Sequence, residues 1–240
     1  MKHLKSFNEG VFTLYDEEIL EYLACQDLGL QDFQIVDGLV NVDGDVNISD
    51  RGLDKIPVKF GRVSGYFDCS LNNNLVTLEG SPRSVGGDFY SSNINLTNLK
   101  GAPESVGGDF YCTHSKLTSL EGAPNSVARD FVCRSNRLTS LEGAPNSVGG
   151  GFFCNNNKII DFKVPEFSLN EKKVFICYDN PIYQIYSLFN TPKCIDLINE
   201  YSVIQGDRII WNRLEEVFHG LGMEVPDPNK LKFEDFKLIF

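Results

Sequence analysis

The sequence predicts a β-rich solenoid, a chain that winds through similar turns and stacks one short parallel strand in each turn. The first observation is a period of 21 residues, which places prolines at Pro82, Pro103, Pro124 and Pro145 and phenylalanines at Phe89, Phe110, Phe131 and Phe152. The second is near-identity, because segment 117–127 recurs almost unchanged as 138–148. A fixed period of this length is typical of stacked repeats, in which each unit buries its apolar face against its neighbours.

With variation, each unit follows the pattern Phe-x-Cys-x-x-Asn-x-Leu-x-x-Leu and then Glu-Gly-Ala-Pro. Phe and Cys stand two residues apart, so both point to the same side of a short strand. The Asn then turns the chain, the two Leu fill the interior, and Gly-Ala-Pro closes the turn without a helix. This core is similar to the frame of leucine-rich repeats, Leu-x-Leu-x-x-Asn-x-Leu.

The array extends beyond the four obvious copies. A degenerate unit covers Val46 to Pro57, and Phe175 to Ile185 fits the pattern again. We therefore expect about seven units over residues 42–186. The turn position holds the residues Asn72, Ser115, Asn136, Asn157 and Asn180. Ile94 interrupts it, which predicts a local change in that turn.

Caps are expected at both ends of the array, because a solenoid exposes its core there. Residues 1–41 predict a helix near Asp16 to Cys25, then a hairpin on Asp37-Gly38. Residues 187–240 predict a helical cap. Asn180-Pro181 and Thr191-Pro192 have the pattern of helix starts, and a further helix is predicted from Arg208 to His219.

Composition excludes several classes of function. The net charge of −11 disfavours nucleic acid and anionic membranes as partners and fits a soluble protein or one that meets a basic partner. No apolar run is long enough to span a bilayer, and no secretory leader is expected. The seven Cys include no Cys-x-x-Cys pair, so we expect reduced structural thiols, no metal and no cofactor.

No catalytic residues are predicted. The three His lie far apart in the chain, and spacing identifies no triad partner for any of them. One enzymatic alternative stays open, a site in the C-terminal cap around Tyr178, Asp179, Trp211 and His219.

The outward strand positions are the candidate binding site, because packing of the core does not require their residue types. They combine acidic and aromatic side chains, which are common on protein-binding faces. The alternative interpretation is that the Asp residues only belong to the repeat consensus and that the aromatic residues are present because they favour strands. We expect a concave binding face formed by Tyr66, Asp68, Asp88, Tyr90, Asp109, Tyr111, Thr113, Asp130, Arg134, Phe153 and Asn155.

The repeats Leu-Thr-Ser-Leu-Glu-Gly-Ala-Pro-x-Ser-Val-Gly-Gly-Asp-Phe-x-Cys resemble those of leucine-rich-repeat proteins from large tailed bacteriophages, over about residues 40 to 240. The resemblance implies a phage origin and a location in the bacterial host cytoplasm. A more distant resemblance is to short-repeat leucine-rich effectors of enteric bacteria. Some of those carry a ubiquitin-ligase domain, which the residues after this solenoid are too few to hold.

The expected function is that of a non-catalytic protein that binds and inhibits a bacterial host protein, such as a defence component, as a monomer or a dimer. This expectation depends on the phage resemblance. The alternative is a structural or virion-associated protein that assembles with copies of itself.

Overall fold

The computed structural model describes residues 24–161, 174–191 and 193–240. In it the predicted β-rich solenoid is confirmed, with about six turns, a period of about 21 residues and helical segments at the C-terminal end. Two seven-stranded sheets of very short strands run along its length.

The predicted strands form the first sheet, here called the Phe column. Neighbouring strands are parallel and pair in register, so that Phe110 lies beside Phe89 on one side and Phe131 on the other. Its strands are β3 (Val46–Asn47), β5 (Phe67–Asp68), β7 (Phe89–Tyr90), β9 (Phe110–Tyr111), β11 (Phe131–Val132), β13 (Phe152–Phe153) and β14 (Phe175–Ile176).

A second sheet, here called the Val column, was not predicted. It gives each central turn another two-residue strand, whose Val is buried and whose Ser points outward. The strands are β1 (Phe33–Val36), β2 (Leu39–Val42), β4 (Phe60–Val63), β6 (Ser84–Val85), β8 (Ser105–Val106), β10 (Ser126–Val127) and β12 (Ser147–Val148). A Gly-Gly corner joins the two columns in three turns, and Ala128-Arg129 takes its place in a fourth. A Cβ at Gly107 would lie 2.2 Å from the carbonyl oxygen of Gly86, so the backbones stack too closely there for a larger residue.

Aromatic rings stack along the interior of the Phe column. The rings of Phe89 and Phe110 are 5.1 Å apart, and those of Phe110 and Phe131 are 5.3 Å apart, in nearly parallel planes. All of these side chains are fully buried. Because each ring buries a large apolar surface against two others, this stack contributes strongly to the core.

The Asn at the turn position bonds to backbone groups of two successive turns. Asn157 donates from Nδ2 to the carbonyl oxygens of Cys133 and Cys154, at 3.1 and 3.0 Å, and its Oδ1 accepts from the Leu138 N–H at 3.0 Å. Asn72, Asn136 and Asn180 make equivalent bonds. These side chains thereby supply hydrogen bonds to buried backbone groups that lie outside the strand pairing.

The change expected in the turn at Ile94 is absent from its backbone. Asn93, the residue before it, has a φ of 57°, the same as Ser135 in a regular turn. Ile94 instead joins the core with 2% exposure. The difference lies in hydrogen bonding, because neither Ile94 nor Ser115 in the next turn supplies the carboxamide that the other turns use.

Restoring the missing carboxamide at one turn position should stabilise the fold. In Ser115→Asn the new carboxamide would face the N–H groups of the turn below, as Asn136 faces those of Ser115 and Leu117. We expect the free energy of unfolding to rise by about 1 kcal/mol, measured by urea denaturation. The reverse exchange one turn later, Asn136→Ser, is the matched control and should lower it. A loss of stability in Ser115→Asn would contradict this account of the interruption.

The N-terminal hairpin is present as predicted. Strand β1 (Phe33–Val36) pairs antiparallel with β2, and Asp37 and Gly38 form the two-residue loop. Both have positive φ, 52° and 67°, as a type I′ turn requires. Of the helix predicted before it, Ala24 and Cys25 are helical, and the helix continues to residue 27. Its other predicted residues lie outside the described part of the chain.

The C-terminal cap combines helices with a small sheet that was not predicted. The helices are α1 (Tyr183–Phe189), α2 (Lys193–Glu200) and α3 (Trp211–Gly220). The start predicted for the third helix is wrong, because Arg208–Ile210 is strand β16, which pairs with β15 (Ile204–Gln205) and β17 (Lys237–Ile239). Gly206, the first residue of the β15–β16 loop, has a φ of 63°, as a type II′ turn requires.

The expected helix start at Asn180 is also wrong. Helix α1 begins at Tyr183, and Ile182 precedes it without a side-chain cap. The Asn180 side chain instead belongs to the last solenoid turn, where its Nδ2 donates to the carbonyl oxygens of Cys154 and Cys177. Within the described residues, no helix has the length and apolar character needed to cross a membrane.

Candidate functional site

The candidate site lies on the outward side of the Phe column. Alternation within each strand sends Phe inward and the next residue outward. The outward residues form a continuous row, here called the aromatic strip: Tyr90, Tyr111, Val132, Phe153 and Ile176. All except Val132 are partly exposed.

The two tyrosines of the aromatic strip are held rigidly. Their rings are 5.1 Å apart and within 5° of parallel. The Tyr90 hydroxyl donates to Oδ2 of Asp88 at 2.8 Å, and that of Tyr111 donates to Oδ2 of Asp109 at 3.1 Å. Partial burial, together with these hydrogen bonds, raises the pKa of both tyrosines. Both hydroxyls therefore stay protonated at neutral pH, and little side-chain freedom remains to be lost on binding.

The predicted acidic row has an internal structural role. Oδ1 of Asp88 accepts from the Asp109 N–H at 2.7 Å, and Oδ1 of Asp109 accepts from the Asp130 N–H at 2.9 Å. Asp130 continues the series to the Gly151 N–H at 2.7 Å. Each carboxylate thus connects two turns of the solenoid. Asp88 and Asp109 therefore serve a partner by orienting the two tyrosines, because their carboxylates are already hydrogen-bonded within the solenoid.

The other predicted site residues lie around the aromatic strip. Tyr66 occupies the Asp position of its turn, and its ring is 6.3 Å from that of Tyr90. Asp68 accepts from the Ser70 N–H at 2.9 Å, and Thr113 donates to the Ser92 hydroxyl at 3.1 Å. Asn155 is buried, whereas Arg134 is exposed. The sequence prediction missed Ile176, although it continues the same row by one more period.

The cysteines of the repeat form a second interior row. Burial raises the pKa of the Cys133 thiol, and it raises that of Cys177 to about 12. The Cys69 thiol lies 3.4 Å from the carbonyl oxygen of Tyr90, and Ser91 bonds to Tyr111 in the same way at 3.1 Å. These protonated thiols act as small core groups. In the part of the chain that the structure describes, no three His, Cys, Asp or Glu side chains come together to hold a metal ion.

Two residues of the enzymatic alternative, Trp211 and His219, are held apart on one helix. Tyr178 and Asp179 are exposed on the last solenoid turn, while Trp211 is buried in α3. His219 is exposed eight residues further along that helix, about 12 Å from Trp211. His114 is exposed, and its Nδ1 lies 3.2 Å from the Thr113 hydroxyl.

Comparisons of the chain with protein families, with curated proteins and with solved structures give no match.

Proposed function

We propose that this protein is a non-catalytic binding protein whose aromatic strip docks a protein partner. The observation that carries the proposal is the row from Tyr90 to Ile176, whose outward side chains the core does not need. Aromatic side chains are over-represented among the residues that dominate binding energy at protein interfaces. Because this stack is already ordered in the free protein, little side-chain conformational entropy is lost when a partner binds to it.

The partner that we propose is a bacterial host protein, which the chain inhibits by covering its surface. The phage resemblance of the repeats supports the phage origin, the host cytoplasm as location, and a defence component as the target. Proof of inhibition requires an activity assay of the captured partner with and without the purified chain.

The test is affinity capture from bacterial lysate, followed by quantitative mass spectrometry and by titration with the purified partner. Tyr111→Ser/Phe153→Ser removes two rings from the centre of the aromatic strip. We expect it to weaken binding of the partner at least tenfold, because two buried aromatic contacts are lost.

The matched control is Val76→Ser/Ile160→Ser. It removes two apolar side chains, 62% and 39% exposed, that lie outside the aromatic strip. This variant should capture the partner as the unmodified chain does. Circular dichroism melting checks that both variants are folded. A partner captured equally by all three proteins would refute docking on the aromatic strip.

A further inference from the structure

Four cations gather where the chain leaves the Phe column, although the molecule as a whole is acidic. They are Lys116, Arg134, Arg137 and Lys158, here called the basic patch, and all four are exposed. Lys116, Arg137 and Lys158 occupy the same position in three successive turns. The Arg137 N–H bonds to Leu117 and the Lys158 N–H to Leu138, so consecutive members lie one turn apart, about 4.8 Å.

The basic patch has no counter-charge within ion-pair distance among the described residues. The ion pairs there join Lys100 to Glu121, Arg129 to Asp109, and Lys237 to Asp207. Another row of the solenoid shows how the chain avoids such repulsion. That row reads Glu79, Lys100, Glu121 and Glu142; its first three members alternate in sign, which allows the Lys100–Glu121 pair at 2.9 Å.

Within the three turns of the basic patch, the rows on either side carry no carboxylate. The residues two positions before it are His114, Ser135 and Asn156, and those two positions after it are Thr118, Thr139 and Ile160. Asp161 and Asp179 follow only at the Lys158 end. Like charges held one turn apart destabilise the folded chain, and an anionic ligand over Arg134 and Arg137 would remove that cost.

We propose that the basic patch binds an acidic polypeptide segment in extended conformation. The three-turn row is about 10 Å long, and carboxylates on alternate residues of an extended strand are about 6.7 Å apart, so two of them fit along it. Arginine guanidinium groups pair with carboxylates through two parallel hydrogen bonds. A nucleic acid would extend past the patch into the field of a chain whose net charge is −11.

The basic patch is continuous with the aromatic strip, because Arg134 follows Val132 by two residues on the same side of the chain. One partner can therefore contact both surfaces. Binding at the basic patch does not depend on docking at the aromatic strip, so either proposal can fail alone.

The experiment measures fluorescence anisotropy of a rhodamine-labelled peptide of four Glu-Ala repeats at about 20 mM salt, where surface charges are weakly screened. We expect binding that weakens as salt rises. The variant Lys116→Gln/Arg134→Gln/Arg137→Gln/Lys158→Gln should weaken it at least tenfold. The control Lys55→Gln/Lys59→Gln/Arg62→Gln/Arg83→Gln removes four exposed cations elsewhere and should retain it.

Three outcomes overturn the proposal: absence of peptide binding, equal loss in both charge variants, or tighter binding of an oligothymidine of equal charge than of the peptide. The last would identify a nucleic acid site. Tyr111→Ser/Phe153→Ser should bind the peptide normally, which separates this test from that of the aromatic strip. Circular dichroism confirms that each variant is folded.

Discussion

Phe152→Ala should lower the free energy of unfolding by about 4 kcal/mol, the usual cost of removing a buried phenylalanine. The Phe152 side chain is 1% exposed, and its ring lies 5.1 Å from that of Phe131 and 6.0 Å from that of Phe175. Its removal leaves a cavity inside a row of rings that the neighbouring turns cannot easily collapse. Urea denaturation followed by circular dichroism measures the loss.

The adjacent residue provides the control for this prediction. Phe153 has the same side chain in the same strand but lies on the outward side, partly exposed. We expect Phe153→Ala to cost less, about 1–2 kcal/mol, because part of this ring is already in contact with water in the folded chain. Comparable losses for the two variants would mean that the direction assigned to the side chains of the Phe column is wrong.

Asn157→Ala should lower the free energy of unfolding by about 3 kcal/mol. Its carboxamide bonds to two carbonyl oxygens and one N–H in two turns, and the side chain is 8% exposed. Alanine would leave these buried groups without that partner, and each lost bond of this kind costs about 1 kcal/mol or more. The measurement is again equilibrium denaturation.

The neighbouring Asn156 serves as the control for the turn. It is exposed and has a φ of 57°, a conformation that glycine adopts without strain. Asn156→Gly should therefore change stability by less than about 1 kcal/mol. If Asn157→Ala were as mild as Asn156→Gly, the bonds between turns would contribute little to the fold.

Much of the solenoid could be predicted because its determinants repeat. The inward direction of Phe131 and Cys133 follows from their spacing of two, and the role of Asn136 follows from its place in the frame. The Val column was missed because a strand of two residues, such as Ser105–Val106, shows no alternation to detect. The internal role of Asp109 was missed because its bonds run to the next turn, 21 residues away, where local pattern gives no signal.

The C-terminal sheet did have a sequence signal. Gly206-Asp207, flanked by Ile204 and by Ile209-Ile210, has the composition of a hairpin. The helical pattern that begins at Trp211 was extended backwards over that strand. The basic patch was missed for a different reason, because its members are dispersed along the chain and become neighbours only when turns are compared by position.

The bonding between turns also determines how such a surface can change in size. Asp109 accepts from the turn after it and donates its N–H to the carboxylate of the turn before it. The side of a central unit that faces the next turn is thus complementary to the side that faces the previous turn. Tandem duplication of one unit would insert one more solenoid turn and lengthen the aromatic strip by about 4.8 Å. Both caps would keep their contacts with the turns beside them. Copy number can therefore adjust the reach of the binding surface without redesign of its chemistry.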